Sequence, residues 1–361
     1  MDNNYLSDII FIPDSIRLIA GFLSALIITY VSVPTIIKIS DYKQLYAFAN
    51  ERTSHTAQTP TLGGLAVFAG FTLAVIIFSH RDAAPELAYI LGALITIFFI
   101  GLKDDILVID PRKKLLGQIL ASMIVIWLGR FLLSDFHHVF GIGKVSFMIS
   151  LIFTLFVFLV IINGFNLIDG IDGLASGIGF LASAFYGTWF ILAGSINYAI
   201  LSLSLAGALI SFFRFNVFGK KNKIFLGDTG SMIIGFIIAV LTVKFLESNL
   251  TVSSKFRLGS APAVAISLLI VPFFDTLRIV FLRLKSGKSP FRADHNHIHH
   301  ILLTGGHSHL SVTLMILFIN ILLIFLVLLF QDLGSVILTF LMLTFMIVFI
   351  FVFPVIRKVK K

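Results

Sequence analysis

Apolar and polar residues are blocked along this chain rather than interleaved. Eleven apolar runs, at about 16–38, 61–80, 86–102, 115–133, 147–163, 174–193, 197–213, 231–247, 260–282, 310–330 and 335–356, are separated by mostly short polar connections. As a helix, each run is long enough to cross roughly 30 Å of hydrocarbon. The alternation over about ten residues that marks a membrane β-barrel is missing from them. The pattern predicts an all-α, polytopic integral membrane protein with about eleven transmembrane helices. No long polar insert, low-complexity tract or repeat divides it, so residues 1–361 are expected to form one integral-membrane domain. The stretch "MDNNYLSDIIFIPDS" has neither a basic n-region nor a small-residue cleavage site. The first run is therefore expected to be a retained span.

Composition sharpens this picture. The chain is 58% apolar and 12% charged, whereas soluble domains carry about 25% charged residues. It has no cysteine, which excludes disulfides and thiolate chemistry. The net charge of +9 would suit nucleic acid, but its distribution points elsewhere. With the N-terminus outside, segments 38–60, 103–114, 163–174, 214–230, 283–309 and the tail from Arg357 share one side. They carry 19 Lys and Arg, against four (Arg81, Lys144, Lys255, Arg257) in the other connections. The positive-inside rule makes the richer side, and the C-terminus, cytoplasmic. Orientation and anionic membrane lipid account for the charge, and no nucleic acid is expected. Nearly every unusual polar motif falls on that same side, while the outer connections are mostly short and bland, with Gly194–Ile196 and Gln331–Gly334 as turns.

"GLKDDILVIDPRKKLLGQ" (Gly101–Gln118) places Asp104 beside Asp105 at a span end. Interface anchoring explains Arg112 and Lys113, but adjacent carboxylates at a low-dielectric edge repel each other and persist where a cation or a proton transfer uses them. "NGFNLIDGIDGLASG" (Asn163–Gly177) sets Asn163, Asn166, Asp169 and Asp172 at three-residue steps. If the helix continues, the first three form one stripe and Asp172 follows one step along. A simple cap needs only one such residue. In "NKIFLGDTGSM" (Asn222–Met232), Asp228 is either an N-cap or part of a polar helix start whose free N–H groups suit anions. With the other Asp motifs it forms a third wall for a hard cation such as Mg²⁺. "SPFRADHNHIHHILLTGGHSH" (Ser289–His309) holds six of the ten histidines. Neighbouring His299 and His300 cannot share a helical face and no Cys completes a zinc set, so recognition of anionic oxygens, with Arg292 as a fork, competes with a merely exposed loop. "QTPTLGGLAVF" (Gln58–Phe68) reads as a structural helix start with Gly–Gly packing. Arg130, Lys244 and Arg278 can snorkel to an interface, and Asp275 stands one turn from Arg278.

Together these motifs suit a divalent cation holding phosphates beside lipid headgroups. Neither a P-loop nor a GxGxxG fingerprint is present. "KDD" (103–105), "NGFNLIDGIDGLASG" (163–177), "FLGDTGS" (225–231) and "HNHIHH" (295–300), in this order, resemble the polyprenyl-phosphate N-acetylhexosamine-1-phosphate transferases. The His loop is similar to that of the bacterial enzymes acting with GlcNAc-1-phosphate and undecaprenyl phosphate. The muramyl-pentapeptide enzymes carry three consecutive histidines, whereas Ile298 interrupts the run here. The resemblance implies that the 1–361 domain is a transferase in the bacterial inner (plasma) membrane. It would move N-acetylhexosamine-1-phosphate, most simply GlcNAc-1-phosphate, from the UDP-sugar to undecaprenyl phosphate, releasing UMP. Mg²⁺ (or Mn²⁺) would be the cofactor, and a homodimer is the assembly the family points to. Carried over, Asp228 and Asn166 hold metal and Asp104 acts on the lipid phosphate with Asp105 beside it. Lys114 holds that phosphate, and Asp172 and Phe225 read and stack the uracil. Asp169 is a substrate-binding residue, and Arg292, His297, His299 and His300 take donor phosphate and sugar. Direct attack and an acyl-phosphate intermediate both stay open.

A secondary transporter would put its coupling charges near the midplane and show inverted repeats. Here the charges cluster at one rim. A non-enzymatic lipid-binding scaffold would not need the Asp pair, the GDTG stretch and the His loop together.

Overall fold

The structure, a computed structural model, describes residues 12–46, 59–80, 84–285, 287, 302–303 and 308–358. Its helices are α1 (Asp14–Lys43), α2 (Gly63–Phe78), α3 (Ala84–Leu107), α4 (Pro111–Met123), α5 (Phe147–Ile168), α6 (Leu174–Leu192), α7 (Ile196–Phe218), α8 (Gly227–Thr251), α9 (Ala261–Leu268), α10 (Ile270–Lys285), α11 (His309–Leu329) and α12 (Ser335–Lys358). A π-helical turn, Ile124–Leu128, continues α4. Each predicted apolar run coincides with one helix or, for 260–282, with a bent pair. The chain is an all-α, multi-pass membrane protein. Among the described residues, seven helices are long and apolar enough to cross a membrane, or eight if the α9–α10 pair counts as one span. The 16-residue α2 and the stretch Ser335–Ile350 of α12 are shorter apolar helices.

Burial ranks the helices. α8 is apolar all round and lies at the axis, with 94% of its central stretch buried, against 22% for α1. α3 and α5 flank it, and α1, α2, α6 and α7 pack as a second group. In α1 one stripe, Leu18, Gly21, Ala25, Thr29, Val33 and Ile37, is buried at helical spacing. Ile19, Ile27 and Val31 on its other faces are exposed, as suits a surface facing lipid. The α9–α10 pair bends by 78° around Leu269. Pro272 has no N–H to offer the carbonyl of Leu268, which lets the helix break there.

One expectation is corrected at the end of the bundle remote from the Asp motifs. The connection after α4 is not a bland turn. Asp135–Val139 (β1) and Ile142–Lys144 (β2) form an antiparallel hairpin, Asp135 opposite Lys144 and Val139 opposite Ile142. His137, His138 and Phe140 take positive φ in it. Ser134 donates from its backbone N (2.7 Å) and its Oγ (2.8 Å) to the Glu247 carboxylate, clasping the hairpin to α8. At the same end Lys244 does not simply snorkel: its Nζ lies 3.5 Å from Glu86 and 4.4 Å from the Tyr198 ring centre.

Candidate active site

The site grows from four helix ends that meet at the other end of the bundle. α3 finishes just past its Asp pair. Asp104 Oδ1 accepts from the Ile109 N–H (2.8 Å), folding the chain back, and Asp110 caps α4 by accepting from Arg112 N (2.8 Å), with Pro111 as the first helical residue. This tight return brings Lys114, one turn into α4, against Asp104 Oδ2 at 2.9 Å.

The start of α8 is built by close approach. Gly227 has φ of +75°, and a Cβ there would meet the Thr61 carbonyl at 2.1 Å and the Asp105 carboxylate at 2.8 Å. Asp105 caps this helix from outside, Oδ1 accepting from Asp228 N (2.7 Å) and Oδ2 from Thr229 N (3.0 Å) and Thr229 Oγ1 (2.5 Å). Two sequence expectations are thereby corrected. The N–H groups of Asp228 and Thr229 are not free for an anion, because the Asp105 carboxyl oxygens already accept from them. Asp228 is not the cap, so its carboxylate is available to face the site. The Gly–Gly start of α2 is structural as expected: Gly63 and Gly64 N–H groups donate to the carbonyls of Phe225 and Leu226, both at 2.9 Å.

α5 contributes its last turn. Asn166 Nδ2 donates to Asp228 Oδ1 and, at 2.9 Å, to Ser231 Oγ. Lys114 Nζ then lies 2.7 Å from Asp228 Oδ1, 2.9 Å from Asp104 Oδ2 and 3.3 Å from Asn166 Oδ1. One ammonium sits among oxygens from α3, α5 and α8. The predicted stripe does not continue beyond this point, because α5 stops at Ile168 and Asp169 is its C-cap. Asn163 points to a different partner, Gln118 on α4, which accepts from its Nδ2 at 2.8 Å.

The turn between α5 and α6 carries the remaining carboxylates. Withdrawal from water raises the Asp169 pKa well above the ordinary carboxylate range, and the nearby charges of Asp228, Asp105 and Asp172 add to it. Asp172 belongs to a second cluster. Its Oδ2 lies 2.7 Å from Lys223 Nζ and 3.5 Å from His309 Nδ1, while its carbonyl accepts from Thr313 Oγ1 at 2.7 Å. Burial alone would raise its pKa, but hydrogen bonds from His309 and Lys223 and the Lys223 charge outweigh that and hold it below the ordinary range. Lys223 Nζ also stands 5.4 Å from the centre of the Phe225 ring. Gly173, at φ +81°, donates its N–H to Asn216 Oδ1 (2.6 Å), which ties the turn to α7.

The structure thus brings Asp104, Asp105, Lys114, Asn166, Asp169 and Asp228 together, with Asp172 and Phe225 in an adjoining cluster. Arg292, His297, His299 and His300 lie outside the described residues. Sequence reasoning missed Thr229, Ser231, Lys223 and His309 as partners. It also gave Gln118 no role, although Gln118 stands four residues from Lys114 and so shares its helix face.

Among the described residues, no group of three or more His, Cys, Asp or Glu is arranged to hold a metal ion by itself. The donor set nevertheless suits a hard cation. Two carboxylates and a carboxamide oxygen already converge on the Lys114 ammonium, and a divalent ion that draws further oxygens from a phosphate needs few protein ligands.

Comparison with known proteins follows the same residues. The model of glycosyl transferase family 4 matches residues 87–246, which hold every residue of both clusters except His309 and Thr313. The decaprenyl-phosphate N-acetylglucosaminephosphotransferase of Mycobacterium tuberculosis is 32% identical over 315 residues, covering 81% of this chain and 78% of that protein. The undecaprenyl-phosphate alpha-N-acetylglucosaminyl 1-phosphate transferase of Yersinia pestis is 28% identical over 299 residues, covering 81% and 77%. Its namesake from Escherichia coli K12 is 29% identical over 266 residues, covering 71% and 68%.

Proposed function

Because the chain belongs to glycosyl transferase family 4, we propose that it transfers GlcNAc-1-phosphate from UDP-GlcNAc to undecaprenyl phosphate and releases UMP. The reaction lies at the cytoplasmic face, as the first membrane step of a cell-surface glycan. In this reading the chain crosses the membrane about eleven times, with its N-terminus outside.

The observation that carries the reading is the Lys114 ammonium among Asp104, Asp228 and Asn166 at the mouth of the bundle. Phosphoryl transfer needs placement and charge neutralisation more than covalent help from the protein. Lys114 supplies a fixed positive charge for the acceptor phosphate, which reaches this depth on its lipid. Asp104, buried beside it, orients that phosphate and takes up its proton. Asp228 and Asn166 would hold Mg²⁺, with Mn²⁺ as a substitute, and the ion would neutralise the donor diphosphate. Asp105 keeps the α8 start in place and so fixes Asp228. Asp172 and Phe225 take the uracil edge and face, next to Asp169, and Arg292, His297, His299 and His300 take the donor's phosphate and sugar.

The test uses purified protein, Mg²⁺, undecaprenyl phosphate and UDP-GlcNAc labelled in the sugar. Label should pass to the organic phase with equimolar UMP. UDP-MurNAc-pentapeptide should not compete, because the His–Ile–His–His spacing offers nothing for its lactyl-peptide arm. Absence of lipid-linked label would refute the transferase reading. Efficient use of the muramyl donor would leave the reaction class standing and overturn the donor.

A further inference from the structure

Beneath the Lys114 cluster lies a second polar layer on three of its four helices, α4, α5 and α8, and no step above uses it. Gln118 is fully buried. Its Oε1 accepts from Asn163 Nδ2 (2.8 Å), and its Nε2 donates to Asn163 Oδ1 (3.4 Å) and Met232 Sδ (3.3 Å). Asn163 Nδ2 also donates to the Leu159 carbonyl at 2.8 Å. The layers are in register. Gln118 is one turn from Lys114 on α4, Asn163 one turn from Asn166 on α5, and Met232 one turn from Asp228 on α8.

α4 needs such a device. It lies at the rim of the bundle, with Leu116 and Leu120 exposed to 60% and 63%. Lipid tails are as apolar as these side chains, so hydrophobic burial does not fix the rotation or height of such a helix, whereas carboxamide pairs and close small-residue contacts do. Gly117 provides the close contact: a Cβ there would meet Ile100 Cδ1 at 2.2 Å. Directly beyond, the helix widens into the π turn Ile124–Leu128, so its far end does not hold the register of its near end. The α3–α4 return fixes only where α4 begins.

We infer that the reciprocal Gln118–Asn163 pair is a register lock: two positioning residues that set α4 against α5 so that Lys114 arrives among Asp104, Asn166 and Asp228. The inference deepens the transferase reading and rests on it for its kinetic part. A shift of about 1 Å in a charged group at a reacting centre costs up to roughly 100-fold in rate. Removing one carboxamide also leaves the amide atoms of the other that faced it unsatisfied, which destabilises the fold. Replacing both with apolar groups avoids that penalty, so stability and positioning can be separated.

Four variants carry the test: Gln118→Ala, Asn163→Ala, the exchange Gln118→Asn/Asn163→Gln, and Gln118→Leu/Asn163→Leu. The leucine pair should melt within a few degrees of the wild type yet lose about tenfold or more in kcat, with KM for both substrates within about twofold. The exchange, which restores a reciprocal pair of the same total length, should recover most of the lost kcat. Spin labels at Leu120→Cys and Ile152→Cys, both exposed to 63%, report α4 against α5 whether or not the protein is active. Their distance distribution should be narrow in the wild type and broad in the leucine pair. Wild-type kcat or an unbroadened distribution in the leucine pair would overturn the lock, as would an exchange variant no better than the single alanines. Absent transferase activity in the wild type would refute the functional reading instead, and the distance measurement would still decide the lock.

Discussion

Lys114 is held by three oxygens, from Asp104 on the acceptor's side and from Asp228 and Asn166 on the metal's, so single substitutions should separate those two tasks. Asp228→Asn keeps shape and hydrogen bonding but removes the charge that faces both the ammonium and the proposed Mg²⁺. Turnover should fall by roughly 100-fold or more, while the melting temperature moves little. Near-normal activity at saturating Mg²⁺ would take Asp228 out of the metal site. Asp104→Asn should lose turnover to a similar extent but keep UDP-GlcNAc binding in calorimetry. Lost donor binding with chemistry preserved would reverse the two roles. Asp172 gives a pH signature instead. Its folded-state pKa is held below the ordinary value, so its ionisation stabilises the fold at neutral pH. That contribution is fully present above the unfolded carboxylate pKa and is lost as pH falls through the lower folded value. The wild type should therefore unfold less readily than Asp172→Asn at pH 7, by on the order of 1 kcal/mol. The gap should close as the buffer is taken down through the acid range. A gap independent of pH would mean that the Lys223 and His309 contacts are not electrostatic.

The elements show which parts of the fold and site were legible in the sequence. Apolar runs marked every helix because hydrocarbon forces backbone groups to pair within the segment. The break at Leu269 and the hairpin after α4 were missed, since Pro272 inside an apolar run is compatible with a straight span and "DFHHVFGIGK" resembles any polar connection. In the site, residue types and motifs were legible but their partners were not. Asp105 and Thr229 are 124 positions apart, and only packing reveals that the second carboxylate of the Asp pair serves as a cap for α8. The three-residue steps from Asn163 to Asp172 suggested one stripe, yet Asn163 pairs with Gln118, Asn166 and Asp169 join the Lys114 cluster, and Asp172, beyond the helix end at Ile168, pairs with Lys223. This cap makes a prediction at the scale of the element. Asp105→Asn replaces one of the two accepting oxygens with an N–H donor, so the protein should lose about 1–2 kcal/mol of stability, and turnover should fall with it. Unchanged melting with abolished turnover would return Asp105 to direct action on substrate.

For the molecule as a whole, the proposed reaction requires one particular end to face the cytoplasm. All the clusters described in the site lie at one end of the bundle, the end where the described parts of the Lys- and Arg-rich connections 38–46, 103–114 and 214–230 also meet. The hairpin and the Glu86–Lys244 pair lie at the other. A UDP-sugar is made in the cytoplasm and is too polar to cross the bilayer, so the reading requires the basic end to face inward, as the positive-inside rule also demands. The chain contains no cysteine, so a single introduced thiol reports its own side without background. Lys220→Cys marks the site end, and Phe140→Cys, exposed to 73% at the hairpin, marks the other. In intact spheroplasts a membrane-impermeant maleimide should label position 140 at once, and position 220 only after permeabilisation. Neither position touches the site, so both variants should retain transferase activity, which ensures that the labelled protein is the folded one. The opposite labelling pattern would place the Lys114 cluster outside the cell. It would remove the donor from reach and overturn the proposed reaction whatever the identity of the sugar.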